Sequence, residues 1–270
     1  MARVIAVMSG KGGVGKTTTA LNLGVALADF GSLPILLDAS RQHPHLGLHL
    51  GSTRPEHTIQ QVLRGKKKAR QTLYSHPTGM RVMQGDVSLE RGDNEEDVWN
   101  GLGRLLNDLK IESDIIVMDT SPGFGAETQK VIEHASDVLL VTTPDLPAVA
   151  DSIQFIRMMK KRGKEPAGII LNKVRNDSVE MSRKNIEALL DVPIIGIIPY
   201  DDAVRKSLYL RHPVVYTHPQ SRATNGFKKL TARLLGEQYE ETLEKKEQGS
   251  LFAHTLRQLG LERPDEEHRA

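Results

Sequence analysis

Eight consecutive residues carry the clearest chemistry in the sequence: Gly10-Lys11-Gly12-Gly13-Val14-Gly15-Lys16-Thr17, set between the apolar run Val4 to Met8 and a helical pattern that begins near Lys16. A strand that ends in a glycine-rich turn and opens a helix brings successive backbone N–H groups, and the positive end of the helix, onto one anion. Gly12, Gly13 and Gly15 permit close backbone approach and positive φ. Lys16 has the reach for β- and γ-phosphates, and the Thr17 hydroxyl suits an octahedral Mg²⁺. The full spacing of glycines, lysine and threonine, in a strand-to-helix setting, marks a phosphate-binding loop rather than a turn that binds nothing.

Two acidic residues stand where such a loop needs them. Pro34-Ile35-Leu36-Leu37-Asp38 reads as a buried strand whose carboxylate emerges at its C-terminal edge, where open α/β sheets place ligands, so Asp38 is a candidate for the metal shell. Asp114-Ile115-Ile116-Val117-Met118-Asp119 has the same form and places Asp119 to hold a Mg²⁺-bound water. The Thr120-Ser121-Pro122-Gly123-Phe124-Gly125 segment after it suits a loop that moves with the presence or loss of a γ-phosphate.

The elements that must position these groups follow an α/β rhythm. Lys16 to Phe30 is a helix apolar nearly all round and stopped by Gly31, and shorter signals predict a helix from Thr58 to Arg64 and a strand from Met80 to Met83. After the polar connection from Gly85 to Glu96, Val98, Leu102, Leu105, Leu106 and Leu109 fall at helical spacing within Glu95 to Leu109. Val138 to Thr143, Ala167 to Asn172 and Val192 to Pro199 read as strands. Leu146 to Lys161, Val179 to Leu190 and Asp201 to Leu210 read as helices. This alternation predicts a single α/β domain: a doubly wound, mostly parallel sheet with helices on both faces, the P-loop NTPase fold, over residues 1–248. One or two helices from Ser221 to about Lys246 finish it. Residues 249–270 form a tail in which Leu251, Phe252, Leu256 and Leu259 give 250–261 a short amphipathic stripe that could lie in a membrane interface. The acidic Asp265-Glu266-Glu267 that follows argues equally for docking on the domain or fraying.

Composition removes several alternatives. The chain has 270 residues with 36 Lys and Arg against 34 Asp and Glu, a formal charge of +2 that by itself implies no nucleic-acid partner. There are no cysteines, so disulfides, thiolate zinc sites and cysteine-ligated iron–sulfur clusters are excluded. Met1 leads directly into a core-like strand and no run reaches the length of a membrane span, so the expectation is a cytoplasmic protein, at most peripheral on the inner face of the cell membrane. His43, His45 and His49 match no compact zinc motif and are read as solvent-exposed loop residues without a catalytic role. The basic runs 64–70 and 160–164 lack interleaved aromatics and are read as solvated helix ends.

The assembled residues resemble the MinD/ParA family of P-loop ATPases, and within it the MinD branch, from Val4 to about Leu235. The most specific element is Lys-Gly-Gly-Val-Gly-Lys-Thr-Thr at Lys11 to Thr18, that family's deviant Walker A loop. Leu-Leu-Asp-Ala at Leu36 to Ala39, Asp-Thr-Ser-Pro-Gly at Asp119 to Gly123, Val-Thr-Thr-Pro at Val141 to Pro144, Leu-Asn-Lys-Val at Leu171 to Val174 and Ile-Pro-Tyr-Asp-Asp-Ala-Val-Arg at Ile198 to Arg205 support it.

The resemblance implies an ATP-dependent switch using ATP/ADP and Mg²⁺. Residues Gly10 to Thr18 hold the phosphates, with Lys11, Lys16 and Asp38 in the catalytic set and Thr17, Asp38 and Asp119 at the metal. Lys11 reaches the phosphates of the partner in an ATP-dependent homodimer, as an arginine finger does. Asn172 with Pro199, Tyr200 and Asp201 match positions that line the adenine. One departure matters: the family usually has Asp-x-Asp where this chain has Asp38-Ala39-Ser40, and the second aspartate orients the attacking water. A serine hydroxyl is a poor proton acceptor at neutral pH, so hydrolysis is expected to be weak. The loop's asparagine position is also His45, and the proline of the following motif has shifted to Pro122. The leading expectation is a MinD-like ATPase whose dimer recruits a partner of unknown identity to position a division site or other cellular structure. A hydrolysis-deficient ATP-dependent scaffold and a ParA-like DNA-partitioning protein using Lys66, Lys67 and Lys68 are the alternatives, the nucleic-acid reading being the weaker.

Overall fold

The computed structural model describes residues 2–40, 44–52, 55–85 and 98–240. The chain separates into a unit of residues 1–239, treated below, and a unit of residues 240–270. The expected boundary at 248, the helix continuing to Lys246 and the amphipathic stripe at 250–261 lie outside the described residues.

Eight strands form one sheet. In chain order they are β1 (Arg3–Met8), β2 (Ile35–Ala39), β3 (Tyr74–Ser75), β4 (Arg81–Met83), β5 (Ile115–Thr120), β6 (Asp137–Thr142), β7 (Gly168–Val174) and β8 (Ile194–Pro199). Their spatial order is β3-β4-β2-β5-β1-β6-β7-β8, parallel throughout except for β3 against β4. The helices are α1 (Lys16–Asp29), α2 (Leu46–His49), α3 (Ile59–Leu63), α4 (Leu102–Leu109), α5 (Ala126–His134), α6 (Leu146–Lys160), α7 (Arg183–Leu190), α8 (Asp202–Leu210), α9 (Val214–Thr217) and α10 (Arg222–Leu235).

Alternation along the strands builds two cores. In β1, Val4, Ala6 and Met8 point to one face, where α3, α4, α5, α6 and α7 contribute Val62, Leu105, Val131, Phe155 and Ile186. Ile5 and Val7 point to the other, where Leu23, Leu27, Ala203, Val215 and Phe227 come from α1, α8, α9 and α10. Residues Val4 to Met8 are wholly buried, which is why the strand reads as a continuous apolar run. The chain leaves β1 for strands on one side, returns to β5 beside it, then crosses to β6 on the other. Such a reversal opens a crevice at the C-terminal ends of the strands, where the phosphate loop stands.

The doubly wound, mostly parallel sheet is therefore as the sequence predicts, with local differences. Helix α5 went unforeseen because Val131 and Ile132 are its main apolar core residues, while the buried Glu127 and Thr128 give no apolar period. The helix expected from Val179 begins at Arg183. Its start is set by Ser182, whose hydroxyl accepts from Asn185 N–H, while Glu180 and Asp177 spend their carboxylates on backbone N–H groups of the preceding loop. The helix expected over Glu95 to Leu109 is a 3₁₀ turn at Trp99–Gly101 followed by α4, with 95–97 outside the described residues.

One margin of the sheet is short and the other is partly occupied by side chains. At one, β3 is two residues long. At the other, Ile194 of β8 donates its N–H to Glu187 Oε1 at 3.0 Å, and its carbonyl accepts from Arg183 Nη2 at 3.4 Å and Arg233 Nη1 at 3.3 Å.

A ring cluster ties the β3–β4 turn to the far end of the chain. His76 packs 5.7 Å from His212 and 6.0 Å from Tyr216, centroid to centroid. Burial, with repulsion from His212 second, pushes the His76 imidazole down to about 4 from 6.5. A histidine lowered in the folded state contributes stability that is present above its unfolded value and lost as pH falls from about 6.5 toward about 4. Urea denaturation at pH 7 and pH 4.5 is therefore expected to cost the wild type about 2 kcal/mol more than His76→Gln. Equal losses in the two proteins would refute this.

Candidate functional site

The phosphate loop owes its shape to long-range supports. Gly15 caps α1 at φ 96°, with no side-chain hydrogen bond at the cap and no acidic residue in the first turn, so the first N–H groups of the helix are left for an external anion. Gly13 has φ 80°. Gly12 does not adopt the positive φ that a glycine permits, and a Cβ there would meet only Pro122 Cγ at 3.9 Å. Gly10 answers to packing instead, since its Cβ would lie 2.5 Å from the Asp151 carbonyl oxygen of α6. Beyond the end of β7's apolar run, Asn172 Nδ2 donates to the Val14 carbonyl at 2.8 Å and Lys173 Nζ donates to the Gly13 carbonyl at 2.7 Å. These two residues brace the loop. Lys11 is exposed, its carbonyl accepting from Ser9 Oγ, and Thr18 is half-buried in the first turn of α1.

Asp38 and Asp119 are register partners across β2 and β5. Both are buried. Burial pushes the Asp119 carboxyl up to about 6, offset by the Lys16 ammonium and a hydrogen bond from Thr17. Lys16, 7% exposed, is lowered by its own burial, with Asp119 opposing. Burial, and then the neighbouring Asp119, raise Asp38 well above the carboxylate range against hydrogen bonds from the backbone of Leu46, Ser40 and Gly85. The two carboxyls thus differ. Asp38 gathers the chain segments around it through Ser40 N at 3.3 Å and Leu46 N at 3.2 Å. Asp119 Oδ1 is buried with no hydrogen-bond partner. An unpaired carboxylate oxygen beside the Thr17 hydroxyl is the donor set that Mg²⁺ takes, and a cation there would supply the charge that two adjacent buried acids lack.

A cleft of about 400 Å³ opens over the loop, lined by Gly12, Gly13, Gly15, Lys16, Thr17 and Thr18 together with Ser40, His45, His49, Thr120, Pro122, Lys173, Val204 and Leu208. That volume suits a small-molecule ligand. His45 is exposed as expected, but His49 ends helix α2 half-buried, its imidazole pushed down to about 4 by burial and by His45. The reading of His49 as an exposed loop residue is corrected, and both histidines line the cleft. His43 lies outside the described residues. Lys173, Val204 and Leu208 were also missed. Val204 and Leu208, one helical turn apart on α8, had a signal in the partial exposure of an apolar Leu208.

The residues expected around the adenine make contacts within the chain. The Tyr200 ring lies under the Arg175 guanidinium at 3.7 Å, and Asp201 accepts from Ala203 N at 2.9 Å and Ala223 N at 3.1 Å, capping α8 and holding α10. Pro199 pairs with Val174 in the sheet. None of these three lines the cleft. Of the basic runs, Lys66, Lys67 and Lys68 are exposed, and Lys160 pairs with Glu165 at 3.5 Å and Asp191 at 3.4 Å.

Comparison with known proteins agrees with this fold. The family described as ParA, NUBPL iron-transfer P-loop NTPase, matches residues 1–235. An uncharacterized ATP-binding protein of Methanocaldococcus jannaschii is 36% identical over 253 residues, covering 92% of this chain and 93% of that protein. The cell division ATPase MinD of Pyrococcus furiosus superposes with a TM-score of 0.79 at 29% identity, over 87% of this chain and 99% of that one. The septum site-determining protein MinD of Pyrococcus horikoshii, solved with Mg-ADP, gives 0.78 at 28% identity over 87% and 96%.

Proposed function

Because the chain belongs to the ParA family of P-loop NTPases, we propose that it is a MinD-like switch that binds Mg²⁺ and ATP in the cleft, pairs with a second copy in the ATP state and hydrolyses ATP slowly. The dimer would recruit partners to position a division site or another cellular structure. The observation that carries this reading is the unpaired Asp119 Oδ1 beside Thr17 and Lys16 at the open N-terminus of α1. When bound, Mg²⁺ draws charge from the phosphate oxygens. Thr17 and Asp119 would hold it, Lys16 and the loop N–H groups would orient the phosphates, and Asp38 would fix the segments around them. Ser40 is a weak base for the attacking water, which favours slow turnover and keeps a hydrolysis-deficient scaffold as the second reading. With no cysteine in the chain, cysteine-ligated iron carriage is not its chemistry. Among the described residues no helix is long and apolar enough to cross a membrane. A peripheral membrane role through 250–261 is a further part of the proposal.

Lys11 is exposed at the loop and is the residue offered to the partner copy. Light scattering in millimolar Mg-ATP is expected to show a doubled mass for the wild type and a single-chain mass for Lys11→Ala, with ATP still bound by the variant. A wild type that keeps its mass in ATP would defeat the dimer reading, and phosphate release from the same samples separates slow switch from inert scaffold.

A further inference from the structure

The segments that follow β2 and β5 meet in a side-chain hydrogen bond, with Ser40 Oγ and Ser121 Oγ 3.1 Å apart. Both serines are almost fully buried, 3% and 6% exposed, and Ser40 lines the same cleft as Lys16 and Thr17. Each stands two residues beyond one of the register-paired acids, Asp38 and Asp119, so the bond extends the β2–β5 pairing past the ends of the strands. The two segments are held from behind as well. Ser40 N–H donates to Asp38 Oδ1 at 3.3 Å, and Gly123 N–H, two residues past Ser121, donates to the Ser9 carbonyl at 3.2 Å.

A hydroxyl is both acceptor and donor, so Ser40 can accept from Ser121 and donate onward. In a cleft whose floor is a phosphate loop, the acceptor that fits is an anionic phosphoryl oxygen, and hydrogen bonds to such oxygens are stronger than neutral ones. A carboxylate in the place of Ser40 would repel the same oxygen.

We propose that Ser40, oriented by Ser121, reads the terminal phosphate of the bound nucleotide, so that this hydroxyl pair sets the preference for nucleoside triphosphate over diphosphate. Ser40 is the group that touches the ligand; Ser121 is a positioning residue. The inference rests on the reading that the cleft binds Mg-ATP, and it adds a function for the serine that weakens hydrolysis: position 40 trades water activation for recognition of the γ-phosphate.

The test is titration calorimetry of the full chain with Mg²⁺ and either β,γ-imido-ATP or ADP. Ser121→Ala and Ser40→Ala are each expected to weaken the triphosphate analogue about 3- to 10-fold while leaving ADP within about twofold, and Ser121→Thr, which keeps the hydroxyl, is expected to restore the wild-type ratio. Parallel weakening of both nucleotides, or no change in either, would overturn the inference while leaving nucleotide binding intact. A wild type that binds neither nucleotide would overturn the Mg-ATP reading and this inference with it.

Discussion

Lys16→Ala is expected to weaken Mg-ATP binding about a thousand-fold or more, on the order of 4 kcal/mol, while the variant stays folded. Lys16 is a buried ammonium opposed by the charge of Asp119, and burial already lowers it. An ammonium held this way is poorly solvated and gains much from a phosphate. Its removal takes away the cation that the phosphates would meet and leaves Asp119, already raised to about 6, with less to stabilise its ionised form. In the free protein the Asp119 carboxyl can take up a proton, so the fold bears little of the cost. Calorimetric titration beside far-UV circular dichroism checks both halves. Retention of ATP affinity within tenfold would show that the nucleotide does not sit on this loop.

The second large effect is expected from a single methyl group. Gly15→Ala would place a Cβ on a residue at φ 96° and 2.3 Å from Asn172 Nδ2. The left-handed conformation costs about 1–2 kcal/mol for a residue with a Cβ. Displacing the Asn172 amide also breaks its bond to the Val14 carbonyl, a buried hydrogen bond whose loss costs roughly another 1–3 kcal/mol. The melting temperature should fall by about 5–10 °C, and ATP affinity more than tenfold, because the braced shape of the loop is what aligns its N–H groups. Gly12→Ala is the control, since Gly12 has neither the φ nor the crowding. In the nucleotide-free protein it should melt within about 1 °C of wild type. Equal melting of wild type and Gly15→Ala would remove the argument.

What could be read from the sequence was what adjacent residues decide together. The phosphate loop occupies eight successive positions, and strands such as Val4 to Met8 and Ile115 to Met118 are apolar runs buried on both faces, so their types and places followed from local pattern. Contacts that close across the chain were not legible. Asn172 meets Val14 over 158 positions and Ser40 meets Ser121 over 81, and no spacing rule reaches so far. The resemblance places Asn172 at the adenine, and nothing in the sequence shows that its amide also braces the phosphate loop. His49 was missed for a related reason: helix α2 is four residues long, too short to show a period, and its burial comes from the segments that Asp38 gathers around Leu46.

The margins of the sheet bear on whether a further strand can add to it. A parallel sheet ordinarily ends in rows of peptide groups that invite a further strand, from another copy or from a half-folded chain. Here one margin offers only the two residues of β3, and at the other the peptide groups of Ile194 are already taken by Glu187, Arg183 and Arg233. A strand adding at either margin would find a two-residue template on one side and on the other would have to displace these side chains at Ile194.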